Sequence, residues 1–125
     1  MTEQALFILA SLAMGELHGY GIARDVEELS EGRVRLTAGT LYGALNRLAD
    51  DGLVAQSREE MVDGRRRRYY RLTAAGEATL AEETARLRSV AAALGSRTGR
   101  RVSRKPRLAA RPSKSSSSAK ASSAP

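Results

Sequence analysis

The sequence predicts a mainly α fold with a small β-hairpin, and three observations predict it. Apolar residues recur at helical spacing in four separate segments. Residues 53–60 and 69–72 read as strands on either side of the turn dipeptide Asp63 and Gly64. Beyond residue 95 large apolar side chains all but vanish, so the last thirty residues cannot repay their ordering entropy and read as a disordered basic tail.

Residues 2–14 carry helix formers with apolar side chains on nearly every side of the helix. Such a helix is either the centre of the core or is covered by a second subunit as well. Residues 15–21 hold three glycines and read as a turn. Ile22, Val26 and Leu29 then recur on one face of a short second helix, which Glu31 and Gly32 stop. Val34, Arg35 and Leu36 suffice only for a short extended stretch. Thr37 is a good N-cap for a third helix whose inner face is Leu41, Ala44, Leu45 and Leu48, ended by Asp51 and Gly52. In the hairpin, Tyr70 and Leu72 share a face. Thr73 caps a fourth helix over residues 74–94, with Leu80, Thr84, Leu87, Ala91 and Leu94 in steps of three and four. That rod, about 30 Å long at about 1.5 Å per residue, has more apolar edge than so small a domain needs for itself. The chain thus divides into a domain at 1–73, a helix at 74–95 and a tail at 96–125.

Charge is divided unevenly. Residues 1–95 hold twelve basic and fourteen acidic side chains, whereas residues 96–125 hold nine basic and none acidic, so the overall charge of +7 resides in the tail. With no cysteine there is no disulfide framework, thiolate metal site or cysteine nucleophile. The longest apolar run, residues 5–14, is half the length of a membrane span, and the start lacks the basic residues of a signal peptide. A soluble cytoplasmic protein, with no membrane partner, is expected. A domain this small, with five aromatic residues, also stands to gain from the extra burial of dimerisation.

Three short helices followed by a hairpin is the plan of a winged helix-turn-helix, in which the third helix enters the major groove and the hairpin touches the flanking backbone or minor groove. Opposite its apolar face the third helix presents Gly39, Tyr42, Gly43 and Asn46, with Thr40 and Arg47 at the edge. Asn and Arg can make paired hydrogen bonds to adenine and guanine edges, and Thr and Tyr can donate to phosphate. Arg65, Arg66, Arg67 and Arg68 follow the hairpin turn directly, on what reads as a projecting loop. Four adjacent cations repel one another unless a polyanion neutralises them, so double-stranded DNA is the expected partner. Asp50 and Asp51 at the end of the third helix count against it, since they repel phosphate.

The stretch from Leu17 through His18 and Gly19 to Tyr20, the run from Leu36 to Leu48, Gly52-Leu53-Val54, and Arg68 to Gly76 together resemble the PadR-like transcriptional regulators. The likeness covers residues 5 to about 94. It implies a homodimer of winged-helix domains that represses genes and often responds to a small lipophilic or aromatic effector. Carried over by position, Tyr20 contacts the DNA backbone, Thr37, Thr40, Tyr42, Asn46 and Arg47 the major groove and its rim, and the four arginines form the wing. The subunit contact falls on the first and last helices, here Leu6, Ile8 and Leu9 with Leu80, Leu87, Ala91 and Leu94. Many relatives have proline where this chain has Gly43, which loosens the helix by up to about 1 kcal/mol relative to alanine. With no Trp and no aromatic residue after Tyr70, an aromatic sandwich around a flat ligand is not expected. The single C-terminal helix is similar to short-form members.

The remaining chemistry-bearing residues read blandly. His18, the only histidine, has no ligand-spaced partner and is expected to make a turn or capping bond, with no metal or cofactor. Ser11, Ser30 and Ser57 lack an evident base, so no enzyme is expected. Asp25, Glu27, Glu28 and Glu31 form an acidic patch near the second helix. The reading is a sequence-specific repressor acting as a homodimer on a palindromic operator. The alternative is an architectural, nucleoid-associated protein that binds DNA mainly through its tail.

Overall fold

The structure, a computed structural model, describes residues 1–104, with side chains as far as Thr98. Its elements are α1 (Glu3–Ser11), β1 (Leu17–His18), α2 (Gly19–Leu29), α3 (Ala38–Asp50), β2 (Val54–Val62), β3 (Arg65–Leu72) and α4 (Ala74–Arg104). The mainly helical plan with its hairpin is therefore present, enlarged by a third strand: the antiparallel sheet runs β1-β3-β2.

Thr2 and Thr37 cap α1 and α3, each accepting the backbone N–H three residues on. The core gathers Ile8 and Leu9 of α1, Ile22 and Val26 of α2, Leu41, Leu45 and Leu48 of α3, and Val54 and Tyr70 of the sheet. Ile8 and Leu9 are wholly enclosed by these neighbours, and Leu80 packs half-buried against the same cluster. Ile8 and Leu9, expected at a subunit contact, lie in the subunit's own interior instead, whereas Leu80 keeps part of its surface exposed. α1 packs against α2 and buries Ile8 and Leu9 completely, while Ala5, Leu6, Phe7 and Ala10 are half-buried.

Two local expectations change for identifiable reasons. The stretch 34–36 is a loop, because the buried Ser30 hydroxyl accepts the Val34 N–H at 2.9 Å and removes that donor from any ladder. The short strand lies at Leu17 and His18, which pair with Tyr70 and Tyr69 where only a turn was expected. Two residues carry no readable period.

The hairpin turn, Asp63 and Gly64, has φ of 53° and 76°, the left-handed pair that matches strand twist in a two-residue connection. Ladder pairing begins at Val62 and Arg65, so the four arginines lie in β3 and not on a loop. At the other end, Thr73 joins hairpin to helix. Its hydroxyl donates to the Gly52 carbonyl at 2.6 Å and accepts the Gly76 N–H at 3.0 Å, while its own N–H bonds the Leu53 carbonyl.

α4 extends ten residues past the expected end at residue 94. Gly95 costs only about 1 kcal/mol in a helix interior, and the Ser96 and Thr98 hydroxyls bond carbonyls one turn back. Residues 96–104 thus belong to the helix, and the rest of the expected tail lies outside the described residues. The chain forms two units, Met1–Ala85 and a second beginning at Arg86. In the second, the described part is helical and every side chain from 86 to 98 is exposed, Leu87, Val90 and Leu94 among them. No helix among the described residues is long and apolar enough to cross a membrane.

Gly76 is buried, and a Cβ there would overlap the Leu53 carbonyl oxygen. Alanine would gain up to about 1 kcal/mol of helix propensity. The obstacle is backbone, which cannot swing aside, so overpacking of about 1–3 kcal/mol prevails. Gly76→Ala is expected to lower denaturant-unfolding stability by about 1–2 kcal/mol; a midpoint at or above that of the wild type would show that the junction relaxes freely.

Candidate nucleic-acid interface

The third helix separates its two faces cleanly. Leu41, Ala44, Leu45 and Leu48 are buried, while Thr40, Tyr42, Asn46 and Arg47 are exposed on the other side. Thr37 and Thr40 are exposed at the helix start and bonded to each other, Oγ1 to Oγ1, at 3.0 Å. Tyr42 is 40% exposed and leans on the first residue of α2: a Cβ at Gly19 would overlap its hydroxyl. Gly19 is thus small to seat the Tyr42 ring, which keeps one edge of α3 against α2.

Beside Tyr42 opens a cleft of about 860 Å³, walled by His18, Gly19 and Tyr20 on one side and by Val62, Asp63 and the four arginines on the other. The cleft brings together Tyr20, Tyr42, Arg65, Arg66, Arg67 and Arg68 of the residues expected to meet DNA. Thr37, Thr40, Asn46 and Arg47 stand exposed on α3 outside it. Tyr20, 70% exposed, stacks on His18 with centroids 6.3 Å apart.

The arginines are not left to repel one another, as the loop reading required. Strand alternation sends them to opposite faces. Arg66 and Arg68 share the Glu59 carboxylate at 3.6 and 3.5 Å, and Arg67 lies opposite Glu60 in the ladder. Among the described residues, no carboxylate lies within ion-pairing distance of Arg65 or Arg67, although the Glu60 charge still acts on Arg67. A loop placement of the arginine run gives it no ladder partners and so hides Glu59 and Glu60. Counting outward from the two-residue turn pairs them at once.

His18 caps α2, its Nδ1 accepting the Gly21 N–H at 3.1 Å, as a capping role required. Partial burial, and then the nearby Arg67 charge, push its pKa below the usual histidine value. Its ring also meets Tyr69 edge-on at 5.4 Å. No group of three or more His, Cys, Asp or Glu side chains among the described residues is arranged to hold a metal ion.

A solvent-facing helix beside a cationic two-stranded wing defines a winged-helix protein. The family model for the transcriptional regulator PadR-like family matches residues 8–82, and the chain belongs to that family. It is 44% identical over 86 residues to the transcriptional regulator Rv3488 of Mycobacterium tuberculosis, covering 69% of this chain and 77% of that one. A PadR family transcription regulator from Clostridium difficile superposes with a TM-score of 0.65 at 26% identity, covering 76% of this chain and 97% of that one. PadR of Bacillus subtilis, solved in complex with operator DNA, does so with a TM-score of 0.60 at 26% identity, covering 67% and 48% respectively.

A histidine whose pKa falls on folding binds fewer protons than it does in the unfolded chain. Its contribution to stability is therefore present above about pH 6.5 and is lost as the pH drops through the lowered value. Protonation of Nδ1 also removes the cap acceptor. Between about pH 7.5 and about pH 5.5, wild-type unfolding stability is expected to fall more than that of His18→Asn, whose amide caps without titrating. Equal losses in the two proteins would show that this cap does not sense pH.

Proposed function

We propose that this chain is a transcriptional repressor that binds a palindromic operator as a homodimer, with α3 in the major groove and the β2–β3 wing on the flanking backbone. One observation carries the reading: the exposed Thr40, Tyr42, Asn46 and Arg47 side of α3 lies next to a cleft shared by Tyr42, Tyr20 and the wing arginines. Asn46 and Arg47 have the hydrogen-bonding pattern to read base edges. Tyr20, Thr37, Thr40 and Tyr42 are suited to phosphates and the groove rim. Arg65 and Arg67, which make no close ion pair among the described residues, are suited to phosphate neutralisation. The B. subtilis relative bound to operator DNA supports the same use of the fold.

The second subunit is proposed to pair along α4, where Leu87, Val90, Ala91 and Leu94 recur at spacings of three and four with no cover from the described chain. Leu6, half-buried on α1, is proposed to join that contact. A lipophilic effector held between paired helices would act by changing the separation of the two reading helices. The nine basic and no acidic residues of 96–125, four of them on the end of α4, favour a second reading, an architectural protein that binds DNA of any sequence.

Selection from a random-sequence duplex pool, followed by gel shifts, separates the two. The repressor reading expects a recovered inverted repeat bound at least about a thousandfold more tightly than random duplex. Asn46→Ala is expected to cost about 1–3 kcal/mol on that repeat by relaxing the preference at one base. Arg67→Gln is expected to weaken binding to all sequences and to reduce the salt slope by about one. Equal affinity for every duplex would leave only the architectural reading. Leu87→Asp is expected to convert the dimer to monomer in sedimentation and to weaken repeat binding; a dimeric variant with unchanged affinity would remove α4 from the subunit contact.

A further inference from the structure

A polar network on the outer face of the sheet takes no part in the reading above. Glu16, just before β1, accepts from the Ser57 hydroxyl at 2.7 Å through one carboxylate oxygen and from Arg58 Nε through the other. Arg58 Nη1 donates to Glu60 at 2.9 Å, and the Tyr69 hydroxyl donates to the second Glu60 oxygen at 2.6 Å. The Arg58 guanidinium lies 3.8 Å above the centre of the Tyr69 ring. Five side chains thus tie the approach to β1, the middle of β2 and Tyr69 of β3.

A break in strand geometry makes this network reachable. The register passes from Gln56 opposite Tyr70 to Arg58 opposite Tyr69, leaving Ser57 as the extra residue of a β-bulge. Neighbouring strand residues normally point to opposite faces. The bulge cancels that alternation, so Ser57 and Arg58 both reach one carboxylate. Past the bulge the wing runs out to its turn, and small changes of angle at this point displace the arginines at its end.

We propose that Glu16 and Arg58 are positioning residues for the wing: their ion pair, braced by Ser57, Glu60 and Tyr69, holds the hairpin against β1 so that its arginines stand beside Tyr42. Neither residue needs to touch DNA. Exposed ion pairs are individually weak, but here one guanidinium is shared by two carboxylates and a ring. The gain is preorganisation, since a wing already at its working angle loses less freedom on binding. The inference rests on the DNA-binding reading.

The sign of a charge change tests it. Glu16→Gln makes the protein more positive, and electrostatics alone would tighten its hold on any duplex. Positioning requires the opposite on the site selected by the wild-type protein. In the full chain, Glu16→Gln is expected to weaken selected-site binding about two- to fivefold while random-duplex binding holds or rises. Arg58→Gln is expected to reduce the selected-to-random ratio similarly, and Arg58→Lys to recover most of it. Tyr69→Phe, which removes only the hydroxyl and keeps the ring under Arg58, should act in the same direction with a smaller effect. Thermal melts of each variant separate lost positioning from lost folding. Selected-site binding by Glu16→Gln as tight as wild type, or equal losses on selected and random duplex in every variant, would overturn the inference. A wild-type protein that selects no site would instead overturn the sequence-specific reading beneath it.

Discussion

The left-handed turn at Asp63 and Gly64 is the constraint on which the interface depends. Two consecutive positive φ angles, 53° and 76°, close the hairpin in two residues and leave no slack in the ladder. Every pairing up to the bulge follows from it, including Val62 with Arg65, Glu60 with Arg67 and Glu59 with Arg68. A slip of one residue would exchange the faces of all the arginines, moving Glu59 away from Arg66 and Arg68. The turn therefore settles which cations are quenched within the molecule and which are not, although it touches none of them.

Electrostatics in the wing is a balance and not an accumulation. A bare run of four arginines would bind any polyanion and repel itself. Interleaving it with Glu59 and Glu60 lowers the net field while keeping cations at defined positions. The carboxylates gain as well: hydrogen bonds from Tyr69 and Arg58 hold Glu60 below the usual carboxylate range, and Ser57 and Arg58 do the same for Glu16. Both carboxylates therefore hold their charge further into acid than an isolated glutamate would.

Much of this was legible from residue spacing. The leucines of α3 at 41, 45 and 48, the Thr37 cap and the turn dipeptide are strong local signals, and each lies where those signals place it. What escaped notice had no period to display. β1 has two residues, and the start of α2 is hidden among glycines that usually mark a turn, of which Gly19 is small because the Tyr42 ring lies against it. Four identical arginines cannot show alternation, so β3 was read four residues short. That Thr40, Tyr42, Asn46 and Arg47 share the exposed side of α3 was readable, but the company the arginines keep was not: the acidic partners and the bulge at Ser57 belong to pairing across strands. The apolar wrap of α1 fitted either a core helix or a subunit contact, and only packing showed that Ile8 and Leu9 face inward.

Thr73 has a consequence for how motion travels. One hydroxyl holds the carbonyl that closes α3 at Gly52 and the amide that opens α4 at Gly76. The ends of the two helices are geared through this hydroxyl and through the Leu53 carbonyl, which accepts the Thr73 N–H and lies against Gly76. A twist applied to the first turn of α4 reaches the tail of α3 directly, whereas a route through the packed leucines would have to deform many side chains at once.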